Sequence, residues 1–468
     1  MTLKSRWISF IESPVDGSSL AVFRIWFAIC MLINTWMYTI DVHIDYLQPK
    51  LFFSFIPGMA PWPGNGMYIH FAVMAASAAF IGLGYFYRQA AIIFFLATTY
   101  LFLLEKAYYQ NHFYLVSLLS FLLIILPANR VWSVDNAEKK WPESVPRWSV
   151  LLLKFQIAIV YFYGGIAKLN YDWLHGRPQT EYMMQQAHLA VIGPIVSHPL
   201  FAQIVTYGGI AVDLSLGFLL FFGPTFWLGT IIAVAFHLLN SRLFPIGIFP
   251  WLMIGTIGLF APYDWPRKVL AKIAPILSRL KISVTSASKA EKTNAAFEKT
   301  DEVSKRDAAI LIFLHVYVLL QILIPLRRFL YPGETSWTEL GHRFSWSMML
   351  RTKLIKSFEV KATNPKTGAK LTVDLTSGMN SKQIYQMMSR PDMILRYAHY
   401  VADQQEMKTG VRPIVKIRAI ESLNLRPVQD LVDYNVDLAS EKDTLMPFTW
   451  IIPLRPPAPE SGIQTNSR

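Results

Sequence analysis

Apolar runs of membrane-spanning length recur through the first two thirds of this chain. In hydrocarbon a backbone must satisfy its own N–H and C=O groups, and a helix does so within one segment. A span needs roughly 20 apolar residues, fewer inside a bundle. Spans are predicted near 20–40, 67–86, 89–105, 113–127, 148–168, 203–222, 224–240, 245–262 and 308–326, about nine in all. The segment 185–201 reads as an amphipathic or re-entrant helix.

Hydrophobic residues make up 53% of the 468 and charged residues only 16%. That is too apolar for a soluble domain and too long for one core. The fold class is a polytopic α-helical membrane protein, about nine transmembrane helices, with a small C-terminal α+β extramembrane domain. The net charge of +13 does not point to nucleic acid, because the basic residues gather in a few loops. With Lys4 and Arg6 in the cytoplasm, Arg88, Arg130, Lys139, Lys140 and Arg147 also fall inside, with the basic loop 263–307. The other side receives only Lys50, Lys106, Lys168, Arg177 and Arg242 between spans, as the positive-inside rule expects. The lone cysteine, Cys30, lies in the first span and allows no internal disulfide. No cleavable signal pattern is seen, so the first span is expected to stay as an anchor.

Nine spans place the tail outside, giving a membrane domain over 1–326 and an extracytoplasmic α+β domain over 327–468. The polar stretch 283–303 reads as a flexible linker. In the tail, 358–375 alternates around a turn at Asn364–Gly368 and is predicted as a hairpin. Helices are predicted within 381–405, and strands at 413–420 and 448–454.

Ionisable groups at membrane depth are expensive and mark function. Lys168 ends the fifth span in YFYGGIAKLNYDW (161–173). Asn111 and His112 open the fourth, and His237, Asn240 and Ser241 end the seventh. The charge pattern puts all of them at one outer membrane boundary. A lysine in apolar surroundings is favoured as the neutral amine, which can accept a proton. Snorkelling to the interface is the plain alternative, and a pair with Asp172 would keep the lysine charged and inert. His112 and His237 can hydrogen-bond a substrate or shuttle a proton. HExxH and CxxC spacings are absent, so metal dependence is not expected. Arg24 and Lys154 are expected to snorkel at cytoplasmic span ends, and His315 to bond between helices.

The motifs LLEKAYYQNHFYL (103–115), ANRVWSVD (128–135), YFYGGIAKLNYDW (161–173), VDLSLGFLLFF (212–222), FHLLNSRLFPIGIF (236–249), WPRK (265–268) and FSWSMM (344–349) occur in this order. They resemble the vitamin K-dependent γ-glutamyl carboxylase family, which has bacterial members and belongs with the horizontally transferred transmembrane (HTTM) domain proteins. The resemblance runs from about Pro14 to about Trp450. It implies that vitamin K hydroquinone binds among the spans, is deprotonated, and reacts with O2. The strongly basic oxygenated product then takes a glutamate γ-proton, CO2 adds to give γ-carboxyglutamate, and the epoxide leaves, with no metal or biotin. Lysine is too weak a base for the γ-proton, yet it can take a phenolic proton of pKa about 10.

By this resemblance Lys168 matches the hydroquinone base. Asn111 and His112 match polar residues beside the reacting centres, and Trp337, Ser345 and Trp346 match the glutamate-binding region. His237 and Asn240 are assigned to the quinone with Asn111. His342, Arg351 and Lys353 are assigned to the glutamyl substrate, although animal members carry tyrosine, histidine and arginine there. The expected partners are the lipid bilayer, the quinone and a glutamate-containing peptide or protein, in a bacterial inner membrane rather than the endoplasmic reticulum. Competing readings are an epoxidase without protein carboxylation, and a non-catalytic quinone- or lipid-binding protein or transporter.

Overall fold

The computed structural model describes residues 3–188, 193–196, 198–279 and 305–457. Every predicted span is helical: α1 (Ser18–Thr39), α2 (Gly66–Leu83), α3 (Tyr87–Leu104), α4 (Asn111–Ile125), α5 (Arg147–Lys168), α6 (Pro199–Phe221), α7 (Phe226–Leu243), α8 (Phe249–Thr256) and α9 (Lys305–Leu326). Among the described residues seven helices are long and apolar enough to cross a membrane, not nine. The exceptions are α4, with 15 residues, and α8, which a 3-10 turn extends only to Leu259. At 1.5 Å per residue α4 covers about 22 Å, short of a hydrocarbon core of about 30 Å. Both short helices begin beside the polar groups described below.

Other expectations change as well. Arg24 does not snorkel. Its guanidinium is fully buried and donates to the carbonyls of Ala128 (2.9 Å), Gly82 (3.2 Å) and Trp132 (2.6 Å). It thereby satisfies orphan carbonyls at the end of α2 and in the turn after α4. Gly84 closes α2 at φ +63, and a Cβ there would lie 2.8 Å from the guanidinium. His315 bonds Leu311 O of its own helix (2.7 Å) rather than another helix. Instead Tyr317 ties α9 to α5 through Gln156 (2.6 Å), and Tyr163 of α5 donates to Ile322 O (2.6 Å).

The basic loop 263–307 opens with a helix, Trp265–Arg279. Its Arg267 bridges Asp16 (2.7 Å) and Glu143 (2.6 Å), beside the ribbon of β1 (Pro14–Asp16) and β2 (Ser144–Pro146). The linker predicted over 283–303 lies outside the described residues. The described part of the helix predicted over 185–201 comprises the end of a helix, Arg177–Gln185, with the turn after it, one turn at Gly193–Val196, and the start of α6. Residues 189–192 and 197 lie outside it.

The tail forms an antiparallel sheet in the order β4-β3-β5-β6, from β3 (Lys353–Thr363), β4 (Lys370–Leu371), β5 (Ile414–Leu423) and β6 (Gln429–Asp430). The predicted hairpin is β3–β4, with Ala362 opposite Leu371. Asn364 Oδ1 accepts the Lys366 N–H in its turn (2.9 Å). The segment 448–454 is not a sheet strand; Ile451 makes one isolated bridge to Val432, and Pro453 lacks the N–H that a longer ladder needs. Helices α10 (Ser381–Met387) and α11 (Pro391–Thr409) supply Met387, Ile394 and Ala398 to a core shared with Val415 and Ile417 of β5. That core also takes in Val42, Phe71 and Leu104, so the tail is seated on the ends of α1 to α3. Glu105, just past α3, anchors the seat. It accepts from Gln383 Nε2 (2.7 Å), Ala107 N (2.8 Å) and Phe53 N (3.2 Å).

Candidate active site

Lys168 occupies the last turn of α5, and the glycines before it set its surroundings. A Cβ on Gly165 would lie 2.6 Å from Leu214 Cδ2 and 3.0 Å from Leu214 N, so only glycine lets α6 approach this closely. The approach brings Asp213 of α6 onto Lys168, whose Nζ ion-pairs with Asp213 Oδ2 and donates to Gly164 O (3.2 Å). The two side chains are 7% and 3% exposed. The Trp173 ring centroid lies 5.1 Å from the ammonium.

Asp172 is therefore not the partner of Lys168. Asn170 caps the next turn by accepting from Trp173 N (3.0 Å), and Asp172 turns to the tail. There it accepts from Arg426 Nη2 (2.8 Å), Arg426 Nε (3.0 Å) and Asn424 Nδ2 (3.1 Å). Asp213 was the missed residue. Its signal was an aspartate inside an apolar helix, where a charge needs a partner.

Two histidines flank one ring. His112 of α4 stacks on Phe249, centroids 5.8 Å apart, and His237 of α7 meets the same ring edge-on at 6.0 Å. His237 Nε2 lies 2.6 Å from the Tyr161 hydroxyl, two turns before Lys168 on α5. His237 Nδ1 is buried without a partner among the described residues. The His112 imidazole makes no hydrogen bond among the described residues either, and its ring contacts are aromatic. Asn240, half-buried, is not joined to this group by any side-chain hydrogen bond.

A short loop, residues 344–349, runs from this group to the tail. Asn111 Nδ2 donates to Ser347 O (3.1 Å), and the Tyr109 hydroxyl accepts from Phe344 N (2.7 Å). Trp346 stacks on Tyr114 at 4.8 Å, with its indole N–H buried and unpartnered among the described residues. A Cβ on Gly164 would lie 3.1 Å from Met348 Cε and 3.3 Å from Asp213 Oδ2, so the loop reaches the lysine's helix. Phe344, Trp346 and Met349 all have φ near +60. Such strain persists only where the surroundings over-determine the backbone.

On the other side of the loop lies a cluster of cations. Ser345 Oγ donates to His342 O (2.6 Å), and Arg328 donates to Ser347 Oγ (3.0 Å). His342 Nε2 is 2.9 Å from Arg351, which pairs with Glu339 (2.9 Å). Lys353 pairs with Glu421 (3.0 Å) and Glu339 (3.4 Å) and donates to Trp337 O (3.0 Å). The Trp337 indole donates to Ile452 O (2.8 Å). Arg343 and Lys106 share Asp392 (2.7 and 3.3 Å). Arg328 and Arg390, both buried, have no carboxylate within ion-pair distance among the described residues. Burial, and then the charges of Arg351 and Arg390, hold the His342 imidazole well below its usual range. Burial, Arg351 and Arg343 push Arg390 down to about 9. Buried positive charge in excess of its counter-ions favours an anion. Nothing in sequence spacing marks Arg328 and Arg390, which only the fold brings together.

The structure thus unites Lys168, His112, His237 and Asn111 around Tyr161, Phe249 and Asp213. It sets Trp337, His342, Arg351 and Lys353 beyond the loop that carries Ser345 and Trp346. This arrangement is that of an integral membrane protein with a polar site at one end of its helices. Residues 12–265 match the HTTM domain, and residues 306–456 match the lumenal domain of vitamin K-dependent gamma-carboxylase. The chain belongs to the vitamin K-dependent γ-glutamyl carboxylase family. No solved structure matches it.

Proposed function

We propose that this protein deprotonates and oxygenates vitamin K hydroquinone to the epoxide and couples that oxidation to carboxylation of a glutamyl side chain. The observation that carries the reading is the 344–349 loop. It contacts the Lys168 helix through Met348 and the cation cluster through Ser345 and Ser347. Coupling needs the two reactions to be neighbours, so that a strong base meets a glutamate γ-proton before it meets water.

The residues present fit a planar aromatic diol. His112 and Phe249 offer ring faces, and His237 Nδ1 and Trp346 Nε1 are buried polar atoms lacking partners among the described residues. When bound, vitamin K hydroquinone supplies, with O2, the oxidation that generates a base stronger than any side chain. Lys168 Nζ takes the phenolic proton, of pKa about 10 in water. Asn111, fixed by Ser347 O, orients the reacting face. Arg328 and Arg390 hold the substrate carboxylate, and the apolar helix walls exclude water while CO2 adds.

In the same proposal residues 1–326 form the membrane domain and 327–468 an extracytoplasmic domain, with a cytoplasmic N-terminus in a bacterial inner membrane. The quinone, O2, CO2 and a glutamate-containing peptide or protein are the partners. One observation favours an epoxidase without carboxylation: Arg351 and Lys353 are already neutralised by Glu339 and Glu421. The test is purified protein with vitamin K hydroquinone, O2, labelled CO2 and a glutamyl peptide. Epoxide with label in the peptide supports carboxylation. Epoxide without label selects the epoxidase, and neither product from folded protein overturns both.

A further inference from the structure

We propose that Asp213 is the positioning residue that makes Lys168 a working base, and that it holds the proton Lys168 passes on. The inference rests on the function proposed above. It starts from the partner of Lys168, a buried carboxylate on the neighbouring helix. An ammonium has no lone pair, so a Lys168 held charged by Asp213 cannot simply accept a phenolic proton.

The pair can do what the lysine alone cannot. As the phenolic O–H breaks and a new N–H forms at Lys168 Nζ, an existing N–H breaks and an O–H forms at Asp213 Oδ2. One proton has moved from phenol to carboxylate. Lys168 remains an ammonium, now facing the phenolate, and Asp213 becomes a neutral acid. The total charge is unchanged, and no buried charge is left unpaired at either end of the step, which is the condition a buried site must meet.

The local structure is arranged around this contact. Lys168 Nζ is held by two acceptors, Asp213 Oδ2 and Gly164 O, which use two of its three N–H groups. The third is left for the substrate. The Gly164–Gly165 pair allows the close passage of α6 that puts Asp213 there, and Tyr161, two turns earlier on α5, holds His237 of α7. In this geometry Asp213 fixes the position of Nζ and receives the proton, while His237 and His112 serve the substrate.

The test compares wild type with Asp213→Asn, Asp213→Glu and Lys168→Met. Binding of oxidised vitamin K, read by tryptophan fluorescence, should stay within roughly threefold in Asp213→Asn, whereas epoxide formation should fall by about 100-fold or more. The acidic limb of the residual kcat/KM should move to higher pH, because a lone Lys168 must first lose its proton. Asp213→Glu should recover part of the rate with the wild-type limb. A measurement without turnover covers a misfolded Asp213→Asn. Anaerobic addition of hydroquinone to wild type labelled with [4-13C]aspartate should produce a protonated-carboxyl infrared band that Lys168→Met lacks. Turnover of Asp213→Asn at the wild-type rate with an unmoved pH profile, or no such band in wild type, would overturn the role of Asp213 alone. No epoxide from folded wild type would overturn the proposed function and this role with it.

Discussion

The Tyr161 hydroxyl lies 2.6 Å from His237 Nε2, tying α5 to α7 at the level of the candidate site. The bond fixes the plane of His237 and leaves Nδ1 buried and free of partners among the described residues. Tyr161→Phe removes it and strands the imidazole nitrogen. Losing one partner of a buried hydrogen bond costs about 1–3 kcal/mol. The variant is expected to fold, to melt earlier in detergent, and to turn over hydroquinone more slowly. Wild-type melting and turnover would show that the bond neither stabilises nor orients.

Gly165 is required by the passage of α6. In Gly165→Ala the new methyl sits 3.0 Å from the Leu214 backbone nitrogen and 2.6 Å from a Leu214 methyl. The side chain can rotate, but the backbone must move. Overpacking of this kind costs about 1–3 kcal/mol. Separation of the helices also pulls Asp213 from Lys168, so activity should fall with stability. Paired melting and epoxide assays on this variant check both.

Glu105 titrates under the seat of the tail. Burial pushes its carboxyl up to about 7, although the Ala107 N–H, the Gln383 amide and the Phe53 N–H each favour the anion. An unfolded carboxyl titrates near its ordinary value of 4.5. Between those two pH values the folded protein binds more protons than the unfolded chain, so stability falls as pH rises through the window. At about 1.4 kcal/mol per tenfold change in proton affinity, the loss is about 3 kcal/mol. Melting curves from pH 4.5 to 7.5 should show this slope in wild type and a flatter one in Glu105→Gln. Equal slopes would remove Glu105 as the titrating group.

Among the described residues Arg390 has no carboxylate partner, and its guanidinium hydrogen-bonds Lys106 O alone (3.0 Å). If it holds a substrate carboxylate, Arg390→Ala should raise the KM for a glutamyl peptide by about tenfold, the loss of one charge-assisted bond. The KM for hydroquinone should not change. A shift in the hydroquinone KM alone would place Arg390 with the wrong substrate.

All nine apolar segments were legible because a run of apolar residues needs no tertiary partner to declare itself. The length of the eighth as a helix was not: the run predicted over 245–262 becomes a helix only over Phe249–Thr256, with Pro250 in its first turn. Lys168, His112 and His237 stood out as polar groups at span ends. Their partners did not, because Asp213 is 45 residues from Lys168 and Tyr161 is 76 from His237. Asp172, four residues from Lys168, is the misleading neighbour: the Asn170 cap turns it to Arg426. Arg24 looked like a residue reaching for water, but carbonyls freed at two chain turns claim it first. In the tail, the β3–β4 hairpin was visible from its turn residues. The 448–454 segment reads as a strand and yet makes one isolated bridge, Ile451 to Val432.

The most direct measurement is epoxide formation from vitamin K hydroquinone and O2 by purified protein, beside its Lys168→Ala variant with folding checked by monodispersity. Wild type is expected to form epoxide, and Lys168→Ala to lose it. No epoxide from well-folded wild type, or equal epoxide from both, would contradict this expectation.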